Sequence, residues 1–173
     1  LGRLGATDVI VSSPTFFRTA LADALLTRAA QPQQTPLGTR VDPYRVLRAT
    51  APVVMVGGAV VHDESKRTAG QVMVYGIDER FGRFHGQDGF EVAGRDALVS
   101  AALAQDIGAK AGDTITVRVA KPRASPLSSL QGRRETTGER IRVTVTRVLD
   151  DTALGEFSLA PTQGAVFAIY VPM

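Results

Sequence analysis

Val53-Val54-Met55-Val56-Gly57-Gly58-Ala59-Val60-Val61 and Gln71-Val72-Met73-Val74-Tyr75-Gly76-Ile77 flank a polar stretch running from His62 to Gly70. These 25 residues carry the strongest fold signal in the chain. Both apolar runs are short and rich in β-branched residues, and both end in turn formers, which suits buried strands better than helices. The pair predicts an antiparallel hairpin with a nine-residue loop. Gly57-Gly58 interrupts the first strand and predicts a bulge or a close backbone approach.

Upstream, Thr7 to Ser12 (TDVIVS) is β-branched and apolar and predicts a first strand. Ser13-Pro14 then has the form of an N-cap with proline at the first helical position. Phe17, Leu21, Ala24 and Leu25 follow at helical spacing and predict an apolar stripe on a helix ending near Ala30. Gln31 to Gly38 is a proline-punctuated loop, and Asp42-Pro43 repeats the cap-plus-proline signal for a short helix to about Arg48.

Downstream, Gly82 to Gly94 is glycine-rich and predicts irregular chain. Ala97 to Val99 predicts a short strand. Ser100 is placed to cap a two-turn helix carrying Leu103, Ala104 and Ile107, and Gly108 stands where a left-handed C-terminal cap belongs. Ile115 to Ala120 predicts a strand, and Pro122 to Gly138 a loop. Ile141 to Leu149 alternates with period two, as a half-buried strand does, and Ala165 to Val171 predicts a final strand. Helices and strands are segregated more than alternated, so the expected class is α+β, with mixed or antiparallel sheets and a few short helices. The expected organisation is one domain over 1–173 in two small lobes, about 1–95 with 140–173, and about 96–139.

The chain has 173 residues, 44% hydrophobic and 21% charged, which is ordinary globular composition. Its longest unbroken apolar run, Ala51 to Val61, falls short of the roughly 20 residues that cross a bilayer. No basic-then-apolar leader opens it. Cysteine is absent, which excludes disulfides and thiolate metal sites. Tryptophan is absent and aromatics are 6%, which argues against a stacking platform for nucleic acid. The net charge of +3 is uneven, because residues 118–147 carry eight basic side chains against two glutamates.

Motifs that carry chemistry are missing. There is no phosphate loop and no dinucleotide fingerprint, and Gly57-Gly58 lies within a strand rather than at a strand-to-helix turn. His62 and His85 belong to no metal-ligand pattern, and the consecutive His62-Asp63-Glu64 reads as a solvated turn. Ser100 superficially resembles a nucleophile elbow but lacks the flanking glycines, and an N-cap explains it. Asp150-Asp151, and Asp88 with Glu91, read as solvated turns. No catalytic, cofactor-binding or metal residue is therefore expected, and no cofactor. The basic stretch 118–147 leaves one alternative function, a module binding anionic lipid or nucleic acid, with Arg133, Arg134 and Arg140 as contacts.

Four segments together carry a family resemblance. Leu4-Gly5-Ala6-Thr7-Asp8-Val9-Ile10-Val11, Val74-Tyr75-Gly76-Ile77-Asp78, the long run from Ala93 through Ser100-Ala101-Ala102-Leu103-Ala104 and Ile107-Gly108 to Gly112-Asp113-Thr114-Ile115-Thr116-Val117, and Gly155 to Leu159 with Ala165 to Met173 stand in order along the chain. The set resembles the extracytoplasmic domain of FtsX-like ABC transporter permeases, the MacB-like periplasmic core domain. The resemblance implies a non-catalytic periplasmic domain excised from between two transmembrane helices, which would account for the opening at Leu1. The implied partners are the transmembrane helices of the same permease, a separate ABC ATPase subunit, a second permease copy, and a periplasmic adaptor or lipoprotein, with no nucleic acid. The implied role is mechanical coupling of ATP-driven helix motion to export or extrusion. The resemblance also expects strands near both termini, Thr7–Ser12 and Ala165–Val171, to stiffen the tethers. The basic loop 121–140 is longer than the family pattern expects.

Overall fold

A computed structural model describes residues 2–15, 17–30, 33–34, 40–41, 47–119, 139–159 and 163–173. A 3-10 turn at Gly2–Leu4 opens it, followed by helix α1 (Ala20–Ala29) and a minimal antiparallel pair, β1 (Gln33–Gln34) with β2 (Arg40–Val41). The main body comprises β3 (Val53–His62), β4 (Thr68–Ile77), α2 (Glu79–Phe84), β5 (Asp96–Ser100), α3 (Ala101–Ile107), β6 (Thr114–Val119), β7 (Glu139–Leu149) and β8 (Ala168–Pro172).

The six long strands close into a barrel in the order β3-β4-β8-β5-β7-β6. Four seams are antiparallel, whereas β4 with β8 and β5 with β7 are parallel. Closure leaves the barrel without a free sheet edge. This corrects the expected two-lobe α+β arrangement. β5 and β6, assigned to a separate lobe over 96–139, are barrel staves bonded to β7, β8 and β3. Local patterning identifies strands but does not say which distant strands pair, and here the long-range pairings make the shape.

Period-two alternation sorts the side chains into two cores. Val60, Val72, Val74, Ala97, Val99, Ile115, Val117, Val143, Val145 and Ile169 form one cluster with Leu103, Ala104 and Ile107 of α3. The alternate residues of β4, β5 and β8 face the other way. Tyr75, Ile77, Leu98, Ala168 and Tyr170 pack with Phe81 of α2, Phe90, Leu154 and Phe157. Tyr75 stacks on Tyr170 at 5.2 Å between ring centroids, and Phe81 meets Phe157 edge-on at 5.3 Å. Burial on both faces is why these strands read as near-continuous apolar runs.

The hairpin forms as expected, with a shorter loop: β3 runs through His62 and β4 begins at Thr68. The β3–β4 register shifts between Gly58 and Val60, so the glycine pair does mark a bulge. A Cβ at Gly58 would stand 2.6 Å from the Arg118 carbonyl oxygen of β6, which is the close approach. Ser100 caps α3 by accepting from the Leu103 amide, and Gly108 ends it at φ 71°.

Several expectations fail. Thr7–Ser12 lies outside every strand, and Val9, Ile10 and Val11 are 76, 49 and 67% exposed. A β-branched run needs a partner to become a strand, and none of the described strands pairs with this one. The helix starts at Ala20, not after Ser13, whose hydroxyl accepts from the Thr15 amide instead. The stripe of Phe17, Leu21 and Leu25 is exposed, and α1 buries Ala22 and Ala29. It is held through polar contacts: Thr50 donates to the Ala22 carbonyl, and Arg80 pairs with Asp23 at 2.8 Å. Within Gly82–Gly94, Gly82 is helical, because Asp78 caps α2 and Phe90 packs where a Cβ would project. The expected helix from Asp42 falls almost wholly on residues outside those described, and loop 122–138 lies wholly outside them. Among the described residues, no helix is long and apolar enough to cross a membrane.

Candidate functional site

The densest polar arrangement gathers at the tight β3–β4 turn, where it meets the start of β6. His62 ends β3 and is buried, at 3% exposure. Its backbone closes the turn: its amide donates to the Arg67 carbonyl, and its own carbonyl accepts from Lys66. Lys66, at φ 59°, takes the left-handed conformation that this reversal needs. The imidazole Nδ1 lies 2.8 Å from Ser65 Oγ, and Ser65 Oγ donates to the Ile107 carbonyl at the end of α3. Nε2 points to Asp113, 3.3 Å from Oδ2, and makes no hydrogen bond with any described residue. Asp113 is fixed in the turn before β6, where Oδ2 accepts from the Lys110 amide at 2.7 Å.

Asp63 and Glu64 part company here. The Asp63 carboxylate accepts from Thr116 Oγ1 at 2.7 Å and pairs with Arg142 Nε at 3.1 Å, tying the turn to β6 and β7. Glu64 instead joins His62 and Asp113, with one ligand atom from each within 4.8 Å of the others. The sequence reading of 62–64 as a solvated turn therefore misses a buried histidine and a carboxylate brought in from 51 positions away. No local spacing could signal that juxtaposition. Asp113 was visible only as part of a Gly-Asp turn.

The described basic residues of the stretch 118–147 lie along β6 and β7. Arg118 stands directly opposite Arg140 in the antiparallel register, and both are exposed. Arg142 is engaged by Asp63, and the Arg147 guanidinium lies 5.9 Å from the Phe90 ring centre. Arg133 and Arg134 lie outside the described residues, so Arg140 is the one predicted contact that the structure places.

Ser100 and Asp150 have structural roles. Ser100, 1% exposed, donates to the Val166 carbonyl at 2.8 Å and accepts from the amides of Leu103 and Ala168. That arrangement ties β5, α3 and the approach to β8 together, and the hydroxyl faces no histidine. Asp150 caps a 3-10 turn, where the Thr152 hydroxyl and then the Ala153 amide hold its carboxyl below the usual carboxylate range.

His85 at the end of α2 is a third node. Its Nδ1 accepts from the Ala6 amide at 3.1 Å, and its ring packs on Phe81, Phe84 and Phe157. Burial lowers its pKa to about 4, so the ring is neutral and can accept. The N-terminal turn is docked further by the Ser158 amide, which donates to the Arg3 carbonyl, and by Arg3, which donates to the Gly164 carbonyl.

No protein-family model matches this chain, and no curated protein matches it.

Proposed function

We propose that the chain is the non-catalytic extracytoplasmic domain of an FtsX-like ABC transporter permease. In this role it couples ATP-driven movement of membrane helices to substrate export or extrusion and to partner contacts. The observation that carries the reading is where the resembling segments fall. Val74–Asp78, Ala93–Val117 and Ala165–Met173 contain β5, α3 and β8 whole and parts of β4 and β6, so they contribute to four of the six barrel staves. The two ends of the chain also meet one short region: the Met173 amide donates to the Ile77 carbonyl, and the Ala6 amide to His85. A body closed on itself and held at one place by both ends moves as a unit when its tethers move. The stiffening comes from the 2–6 turn and β8, not from a strand at Thr7–Ser12. Its partners in this reading are the membrane helices of its own permease, a separate ABC ATPase subunit, a second permease copy and a periplasmic adaptor or lipoprotein, and not nucleic acid.

The absence of cysteine gives this chain a silent background for labelling. A single Asp88→Cys substitution, at an exposed position, in the full gene product in intact cells tests the location. Labelling by a membrane-impermeant maleimide without lysis is expected in cells whose outer envelope admits the reagent. Labelling only after lysis would overturn the reading.

One observation favours anionic lipid as a further contact. Arg118 and Arg140 face each other across β6–β7, an opposition of like charges that destabilises a sheet unless an anion lies between them. Salt-dependent binding to phosphatidylglycerol vesicles, lost when both become Ala, is the expected result. Equal binding by the double variant would exclude this surface.

A further inference from the structure

His62 is placed with a buried ring nitrogen facing a carboxylate oxygen, a position that a cation or a proton completes. Ser65 Oγ has one hydrogen, and it is directed to the Ile107 carbonyl. The same oxygen therefore accepts from His62, so Nδ1 of the imidazole carries the N–H. In the neutral ring this leaves the Nε2 lone pair facing outward. What it faces is another acceptor, Asp113 Oδ2, at 3.3 Å, and no hydrogen bond joins the two. Two lone pairs at that separation, one of them buried, repel unless something positive sits between them.

The geometry suits a metal. Donors held about 2.0–2.2 Å from a tetrahedral ion stand about 3.4 Å apart, close to the separation of Nε2 and Oδ2. Glu64 supplies a third donor within 4.8 Å on an exposed, mobile-stemmed side chain that can close the remaining gap. The Nδ1–H to Ser65 to Ile107 relay is the outer support that metal-ligating histidines use to fix their tautomer. One imidazole and two carboxylates favour a first-row divalent cation over Ca²⁺, which takes oxygen ligands.

We infer that His62, Glu64 and Asp113 form a site for a divalent transition-metal ion of the Zn²⁺ class, pinning the β3–β4 turn to the turn before β6. The site stands independently of the permease reading. Metal here would bridge segments already joined by the Asp63 amide donating to the Thr114 carbonyl, so it would add stability without altering the fold.

The test is calorimetric titration of the 173-residue chain with ZnCl₂ in a non-chelating buffer, with CaCl₂ as the comparison. One equivalent of Zn²⁺ is expected to bind, with Ca²⁺ at least tenfold weaker. Glu64→Gln alters only an exposed side chain and keeps the fold, and it should weaken Zn²⁺ binding by about tenfold or more, as should Asp113→Asn. Long-range nitrogen NMR of His62 should show Nδ1 protonated and the Nε2 resonance shifting with Zn²⁺. No saturable binding would overturn the site. So would equal affinity in Glu64→Gln and Asp113→Asn, or a His62 ring doubly protonated and indifferent to added Zn²⁺.

Discussion

Gly57 and Gly58 are neighbours on one strand, yet a methyl group should have opposite effects at the two. At Gly57 a Cβ meets nothing within 4 Å. At Gly58 it meets the Arg118 carbonyl oxygen at 2.6 Å and Val74 Cγ2 at 3.3 Å. The first of these is backbone, held in register on one side by Ala59 of β3 and on the other by Arg140 of β7. It cannot rotate away, so the β3–β6 seam must open. Overpacking of this kind costs about 1–3 kcal/mol, while replacing glycine lowers the entropy of the unfolded chain and returns about 0.4–1 kcal/mol. Gly58→Ala should therefore lose about 1–2 kcal/mol. Gly57→Ala should be neutral or gain up to about 1 kcal/mol. For a chain of this size, a difference of about 2 kcal/mol corresponds to about 4–8 °C in Tm. Thermal unfolding of the two variants followed by circular dichroism, with urea midpoints as a second measure, reads this directly. A Gly58→Ala protein as stable as Gly57→Ala would refute the close packing of β3 on β6, and with it the closure of the barrel.

Three further outcomes follow from the polar nodes. His85 is neutral in the fold with a pKa of about 4, against 6.5 when unfolded. Between those values the unfolded chain binds the proton and the folded one does not, so stability rises with pH from about 4 to 6.5, by about 2 kcal/mol after allowing for partial exposure. Urea unfolding at pH 4.5 and 7 should show this slope in the native protein and a smaller one in His85→Gln; equal slopes would contradict it. Ser100→Ala leaves the Val166 carbonyl and two amides without their partner in a site closed to water, and should cost about 2–3 kcal/mol in urea midpoint analysis. Tyr170→Phe removes the bond to the Leu154 carbonyl, made at 2.8 Å, and should cost about 1–2 kcal/mol by the same assay, with the stacked ring on Tyr75 retained.

Much of the strand and cap structure is legible locally. The hairpin of 53–77, the Gly58 bulge, the Ser100 cap, the Gly108 turn and the alternation of 141–149 each depend on neighbouring residues, and each appears where local chemistry puts it. Closure is not local. The parallel seams β4–β8 and β5–β7 join segments about fifty to a hundred residues apart in the chain, and nothing in Val72–Ile77 names Ala168–Pro172 as its partner. Thr7–Ser12 shows the converse, strand chemistry without a strand partner among the described residues. α2 was hidden because Gly82 and Gly86 suggest irregular chain, although Asp78 before Glu79 is a cap signal that could have been used. The site follows the same division. His62 and Glu64 could be picked out as ligand types, but their relation to Asp113 exists only once β3 and β6 lie side by side.

In the proposed reading, a rigid barrel is carried by membrane helices that move with ATP. Pulsed EPR on the full-length protein assembled with its ATPase measures this most directly, with spin labels introduced at the exposed Asp88 position in both copies. A second sample labelled at 88 and at the exposed Thr68 position of a single copy reports on the barrel itself. ATP trapping is expected to shift the distance between copies while the distance within one barrel stays fixed. An unchanged distance between copies, or a barrel whose internal distance changes with nucleotide, would contradict it.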